Sequence, residues 1–158
     1  MQLVVLGLNH KTVPVDIREQ FAISPDSARS GLIHLDEQEG IEEAVVLSTC
    51  NRTEIYAVLK DETAKETLYD FFLALSGNSE AKDEYFFYFE GEACIRHLFE
   101  VVSGLDSMVI GESQILNQIK TAYTMALEEK ATRTILNTLF HRAIRTGKRV
   151  RTETQISY

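Results

Sequence analysis

The chain has 158 residues, 44% of them hydrophobic, which is enough for one domain or two small lobes with a packed core. Its formal net charge of −8 argues against unspecific nucleic-acid binding over the whole surface. It starts at Met1 without a charged-then-apolar leader and lacks an apolar run of membrane-span length, so a soluble cytoplasmic protein without membrane contact is expected. Two cysteines are too few to staple a secreted scaffold, and both are expected to be reduced.

The charge is distributed unevenly along the chain. Residues 1–129 carry 9 basic and 23 acidic side chains, a balance of −14, and residues 130–158 carry 7 and 1, a balance of +6. An acidic body with a basic C-terminal segment indicates an anionic partner near that segment.

The first part of the chain predicts a strand followed by a helix. The apolar run 3–8 is typical of a short strand. Ser24 then supplies an N-cap, Pro25 a first helical position, and Gly40 a stop for the helix that follows.

A hairpin, a second helix and a fourth strand come next. Two apolar runs, 44–47 and 55–59, flank a polar turn. Apolar residues at helical spacing predict a helix over about 63–76, and the aromatic run 85–89 predicts a strand. The order β-α-β-β-α-β is the ferredoxin-like split pattern, an antiparallel sheet with helices on one face, so an α+β fold is expected with this lobe over residues 1–90.

Three helical patterns follow from Glu92 without a strand signal, and they predict a small helical lobe over residues 91–158. The third of these helices carries a basic face made of Arg142, Arg145, Lys148 and Arg149. A solvated charged face is the usual reason for such a pattern. The scarcity of acidic residues there leaves an RNA backbone or a neighbouring acidic lobe as the alternative.

The polar turn of the hairpin is the strongest candidate for chemistry. Cys50 lies at the strand end between Ser48, Thr49, Asn51 and Arg52. Cysteines are usually buried packing residues, but this one has hydroxyls and a guanidinium as neighbours, which favour an exposed and reactive thiolate. Arg52 offers the fork geometry that suits a carboxylate.

Two residues of the first late helix contrast with that turn. Cys94 lies on the apolar stripe and is expected to be core. His97 lies on the flank of the stripe, where a partly exposed helical histidine is the simpler interpretation and a proton-transfer partner for a thiol the alternative.

The segment 103–114 is rich in polar residues and contains two glycines. Asp106 and Ser107 lie between the glycines, and Glu112 and Gln114 follow the second one. Helix capping explains one or two of these polar residues, and a loop that binds a small polar substrate would explain the rest. The sequence offers no G-x-G-x-x-G or P-loop pattern for a nucleotide and no zinc spacing, so no cofactor-binding or metal-binding residues are assigned.

Four blocks in order, over nearly the whole chain, resemble the N-terminal catalytic domain of glutamyl-tRNA reductases. The blocks are residues 7–15, 48–54, 103–116 and 147–154. The resemblance implies an NADPH-dependent oxidoreductase that converts glutamyl-tRNA to glutamate-1-semialdehyde, on the five-carbon route to 5-aminolevulinate and tetrapyrroles (porphyrin biosynthesis). It also implies a homodimeric full-length enzyme and hand-over to glutamate-1-semialdehyde aminomutase.

The same resemblance assigns roles to individual residues. Cys50 would attack the aminoacyl ester and form a thioester, and His97 would be the active-site histidine. Arg52 would pair with the side-chain carboxylate of the substrate. Other substrate-binding residues would be Thr49, Ser107, Glu112 and Gln114, and residues that shape the pocket would be Asn9, His10 and Glu54.

One departure from the family bears on the activity of this chain. Members continue into a nucleotide-binding domain and a dimerisation domain, whereas this chain ends at Tyr158. NADPH is therefore expected to bind the missing domain, and the isolated chain is expected only to acylate Cys50. The alternatives are a thiol hydrolase of aminoacyl esters and a ferredoxin-like binding module without catalysis.

Overall fold

The computed structural model describes residues 1–106 and 114–154. In chain order its strands and α-helices are β1 (Gln2–Asn9), α1 (Val15–Gln20), α2 (Pro25–Ile33), β2 (Ile41–Ser48), β3 (Arg52–Leu59), α3 (Lys65–Ser76), β4 (Phe87–Glu90), α4 (Glu92–Val102), α5 (Gln114–Glu128) and α6 (Thr134–Thr154). Short 3-10 turns span Leu35–Glu37, Glu62–Ala64 and Asp83–Tyr85.

The four strands form one sheet in the order β2-β3-β1-β4, and every pair is antiparallel. The central pair runs in register from Gln2↔Leu59 to Asn9↔Arg52. This order and these directions are those of the split β-α-β pattern, so the predicted α+β, ferredoxin-like class is confirmed.

Local signals in the sequence account for several element ends. The Ser24 hydroxyl accepts a hydrogen bond from the Ser27 amide at 3.1 Å, as expected of an N-cap. The helix after it ends at Ile33, before the predicted stop, and Gly40 instead takes a left-handed φ of 86° in the turn into β2.

Two elements differ from the sequence prediction. The helix α1 was missed, because six residues are too few to show an apolar stripe. The strand predicted over 85–89 occupies Phe87–Glu90. It begins later because Tyr85, the first residue of the aromatic run, belongs to the 3-10 turn Asp83–Tyr85.

Both faces of the sheet are covered by helices. Every residue of β3 from Arg52 to Leu59 is buried, although successive side chains point to opposite faces. Helix α2 packs against α3 and β2, whereas α4 and α6 pack against each other and against β1, β2 and β3. The buried hydrophobic side chains of sheet and helices form one core cluster. A division into lobes at residue 90 stays a prediction.

A buried carboxylate fixes the start of α6. Glu43 of β2 is 3% exposed, and its Oε1 accepts hydrogen bonds from the backbone amides of Arg133 at 2.6 Å and Leu136 at 3.0 Å. These amides belong to the first turn, which lacks partners within the helix. At the other end, Arg151 donates to the carbonyl of Val102 at 2.7 Å. Helix α6 therefore runs along the sheet in the direction of β2, toward the hairpin that holds Cys50.

In the part of the chain that the structure describes, no helix is long and apolar enough to cross a membrane.

Candidate active site

The turn between β2 and β3 presents an exposed thiol. The Thr49 amide donates to the Arg52 carbonyl at 2.8 Å, and the Asn51 amide donates to the Thr49 hydroxyl at 3.2 Å. These bonds tie down the backbone on both sides of Cys50, whose side chain is exposed. The exposure predicted from the polar neighbours is confirmed, and the thiol is accessible to an electrophile.

Cys94 is the contrasting thiol, and its assignment to the core is confirmed. It is fully buried in α4. Burial, with a smaller contribution from the charge of Glu54, raises the pKa of Cys94 to about 12. This thiol is therefore protonated and inert at neutral pH.

Arg52, the first residue of β3, lies in a buried ion-pair network. Its guanidinium is 1% exposed, and Nη1 donates to Glu54 Oε2 and to Asp106 Oδ2, each at 3.0 Å. Nη2 donates to the Asp106 carbonyl at 2.7 Å. Burial alone would lower the pKa of Arg52, but the Glu54 and Asp106 carboxylates outweigh it and raise the pKa. Arg52 is thus a permanent buried cation.

His97 joins the same network from α4. Its Nε2 lies 2.8 Å from Glu54 Oε2, and the Tyr56 hydroxyl donates to Glu54 Oε1 at 2.6 Å. The interpretation of His97 as a partly exposed helical residue is wrong, because its ring is 6% exposed under the rings of Phe87 and Phe89 at 4.9 and 5.3 Å. Helical spacing gave its place on the flank of α4, but not the β4 aromatics that cover that flank.

The centre of the network is Glu54, a fully buried carboxylate with three donors. Burial would raise the pKa of Glu54. The hydrogen bond with His97, the electrostatic interaction with His97 and that with Arg52 outweigh burial, so the pKa of Glu54 is lowered. Conversely, burial and the neighbouring Glu54 raise the pKa of Tyr56 well above its usual value. Glu54 is therefore ionised and Tyr56 neutral at physiological pH.

Gly7 makes room for this network on the sheet. It pairs with Glu54 on one side and with Phe87 on the other. A Cβ at this position would lie 2.8 Å from the Phe87 ring and 2.9 Å from Glu54 Cγ. A glycine is thus needed at this position because the side chains of Glu54 and Phe87 occupy the space that a Cβ would take.

A cavity of about 370 Å³ opens beside His97. Its walls include Asn9, Lys11, Thr12, Arg96, His97 and Asp106. Lys11, whose side chain is 61% exposed, pairs with Asp106 at the rim. Cys50 is not part of these walls; the cavity is linked to the Arg52 network through two of its wall residues, His97 and Asp106.

Two further residues border this region. His10 has a buried Nδ1 without a hydrogen-bond partner among the described residues, and burial together with the charge of Arg52 lowers its pKa. Arg18, which sequence reasoning missed, is 9% exposed, and its Nη1 donates to the Val13 carbonyl at 3.0 Å. Its Nε lies 3.5 Å from the Cys50 carbonyl, a long contact that still directs a second cation toward the turn.

The remaining predicted substrate ligands are spread more widely. Thr49 is half-buried in the turn, and Gln114 is exposed as the first residue of α5. Ser107 and Glu112 lie outside the described residues. The structure thus brings Arg52 and His97 together through Glu54 and leaves their direct contact with a substrate as a prediction.

Most of the chain matches a known protein family. The model for the glutamyl-tRNA(Glu) reductase N-terminal domain matches residues 6–154. The chain belongs to this family. A glutamyl-tRNA reductase from Rubrobacter xylanophilus is 48% identical over 99% of the chain, and one from Pelobacter propionicus is 46% identical over the same share.

The solved glutamyl-tRNA reductase from Methanopyrus kandleri matches with a TM-score of 0.81 at 35% identity, over 99% of this chain. The chain spans 37% of the first of these curated relatives, 36% of the second and 36% of the solved structure. Members of the glutamyl-tRNA reductase family are enzymes of tetrapyrrole biosynthesis, and the similarity covers their N-terminal part.

Proposed function

We propose that this chain is the acylation domain of an NADPH-dependent glutamyl-tRNA reductase, which takes the glutamyl group from glutamyl-tRNA onto Cys50. The observation that carries the proposal is the exposed thiol of Cys50 on a hydrogen-bonded turn that leads straight into Arg52, a member of the buried network of Arg52, Glu54 and His97. A thiol in such a position attacks an acyl group as its thiolate.

The proposed step is an acyl transfer. The Cys50 thiolate attacks the ester carbonyl carbon, a C–S bond forms, and the C–O bond to the terminal ribose breaks. The departing ribose oxygen takes up a proton. His97 suits the delivery of that proton, because Nε2 is engaged with Glu54 while the ring borders the cavity and Nδ1 has no hydrogen-bond partner among the described residues.

Arg52 is proposed to recognise the side-chain carboxylate of the glutamyl group. Its two terminal nitrogens already hold Glu54 and Asp106, so an incoming carboxylate would have to compete with Asp106 for the fork. Asp106 adjoins the segment 107–113, to which the proposed ligands Ser107 and Glu112 belong. Thr49 and Gln114 are proposed as further hydrogen-bonding partners of the substrate.

The reductive step is assigned to parts of the longer relatives that this chain does not span. A dinucleotide site uses a glycine-rich turn from a parallel strand into a helix. The described sheet is entirely antiparallel, and the sequence contains no G-x-G-x-x-G pattern, so the residues present do not fit NADPH. Formation of glutamate-1-semialdehyde, dimerisation and hand-over to the aminomutase therefore belong to the proposed full-length enzyme.

The test is single-turnover release of tRNA. Glutamyl-tRNA is mixed with an excess of the chain, and the charged fraction is followed with time. We expect up to one equivalent of discharged tRNA per Cys50, none for Cys50→Ser, and wild-type behaviour for Cys94→Ala, which removes the buried thiol. Continued release of free glutamate would instead indicate a hydrolase, and equal discharge by Cys50→Ser would overturn the proposal.

A further inference from the structure

The exposed side of α6 is a continuous basic surface. At 100° per residue, the arc that contains Lys148, His141, Arg145, Arg149 and Arg142 spans about 120°, opposite the buried side chains of Leu136, Ala143 and Gly147. All five side chains of the arc are exposed. Within the described span of α6, Thr134–Thr154, the one acidic residue is Glu153, near the C-terminal end of the helix, which pairs with Arg149 at 3.3 Å.

A groove deepens this surface between α5 and α6. It has a volume of about 460 Å³, and its walls include the cations Lys120, Arg145 and Lys148 and the imidazole of His141. No carboxylate lies within ion-pair distance of Lys120, Arg145 or Lys148 in the described ranges 1–106 and 114–154. Charged side chains on an ordinary solvated face are usually mixed with the opposite sign, and here they are not.

The floor of the groove is tightly packed. Tyr123 is 6% exposed and stacks on Phe140 at 5.5 Å with an interplanar angle of 8°. Its hydroxyl donates to Asn137 at 2.8 Å, and His141 packs edge-on against its ring at 5.4 Å. The cations are therefore carried by packed helices rather than by a loop.

The orientation of α6 relates this groove to the candidate active site. The first turn of α6 is capped by Glu43, near the end of β2 that is remote from the hairpin. The last turns of α6 lie against Val102. Val102 precedes by four residues Asp106, which accepts a hydrogen bond from Arg52. Arg145 and Lys148 thus lie on the half of α6 that approaches the hairpin with Cys50.

We propose that the α5–α6 groove binds the phosphate backbone of the tRNA whose aminoacyl end reacts at Cys50. The inference rests on the proposed function for its substrate. Phosphates are bound by arginine, lysine and hydroxyl side chains, and Thr124 adds a hydroxyl to this groove. An acidic protein segment fits less well, because protein interfaces have an apolar centre depleted of lysine. Lysines and an arginine line this groove, and its apolar and aromatic side chains are the half-buried Ile144 and the buried Tyr123.

The test compares two charge-matched double variants. Arg145→Gln with Lys148→Gln removes two positive charges from the groove, and Lys60→Gln with Lys82→Gln removes two from exposed sites elsewhere. Binding of uncharged tRNA(Glu) is measured by fluorescence anisotropy between 50 and 200 mM salt. The groove variant should bind more than about tenfold more weakly at 100 mM salt, and its log–log salt slope should fall by roughly 1.5, while the control keeps the wild-type slope.

A second readout separates this inference from the proposed function. Acylation of Cys50 by a small glutamyl thioester without RNA should proceed equally in the groove variant and the wild type. Loss of tRNA binding in the groove variant supports the inference even if Cys50 proves unreactive. The inference would be overturned if the groove variant bound tRNA as the wild type does, if the control variant lost as much binding, or if no form bound tRNA. It would also be overturned if the groove variant kept its binding to tRNA and lost binding to polyglutamate.

Discussion

Replacement of Glu54 by glutamine tests whether the buried network is held together by charge. The carboxylate accepts three hydrogen bonds, from Arg52 at 3.0 Å, His97 at 2.8 Å and Tyr56 at 2.6 Å. Removing one partner of a buried ion pair costs about 3–5 kcal/mol. Because Asp106 still offsets the charge of Arg52, we expect a loss near the lower end, about 3 kcal/mol, for Glu54→Gln.

Thermal unfolding followed by circular dichroism at pH 7 measures this loss. For a chain of this size, about 3 kcal/mol corresponds to a fall in Tm of about 6–12 °C. The matched control is Glu80→Gln, an exposed position where the change should stay within about 0.5 kcal/mol. A variant Tm within about 2 °C of the wild type would refute the electrostatic account of the network.

The pH dependence gives the same account a second test. The pKa of Glu54 is lowered in the folded chain, so its ionised form stabilises the fold above the unfolded-state pKa of about 4.3. That stability is lost as the pH falls through the lower folded-state pKa. The gap in Tm between wild type and Glu54→Gln should therefore narrow steadily below about pH 4, and a constant gap down to the acid limit would contradict the reasoning.

Three further predictions concern the scaffold and the thiols. Glu43→Ala should lower the free energy of unfolding in urea by about 1–2 kcal/mol, because two amides at the start of α6 lose their acceptor. The control Glu42→Ala, at the half-buried neighbouring position, should have less than half that effect, and equal effects would refute the cap. Gly7→Ala should lower it by about 1–3 kcal/mol, since the new Cβ would lie 2.8 Å from an aromatic ring of β4, and a neutral change would show that the ring moves away freely. An alkylating reagent at pH 8 should label Cys50 in the native chain and Cys94 only after unfolding, and prompt labelling of both would contradict the burial of Cys94.

The sequence predicted the fold class because its local signals agree with the final topology. The Ser24 cap, the hairpin around Cys50 and the helical stripe before Gly77 all coincide with observed elements. The short helix α1 lacked such a signal, and the start of β4 was displaced by a 3-10 turn. Short elements carry too few residues for a period to emerge, so tertiary packing decides them.

The sequence indicated most of the residues that meet in the buried network, but not the connections between them. The alternation Arg52-x-Glu54-x-Tyr56 places three polar side chains on one face of a strand whose other residues, apart from Thr53, are apolar, which was a signal for a buried network. Their shared partners, Asp106 and His97, come from distant parts of the chain. No local pattern in the sequence indicates such long-range pairs. Arg18 was missed because no local sequence pattern marked it as a site residue.

Intact-protein mass spectrometry after mixing the chain with glutamyl-tRNA tests the central claim most directly. The account predicts a single glutamyl adduct that maps to the peptide with Cys50, is cleaved by hydroxylamine, and is absent from Cys50→Ser. A chain of unchanged mass while the tRNA is discharged, or an adduct that persists in Cys50→Ser, would contradict the assignment of Cys50 as the nucleophile.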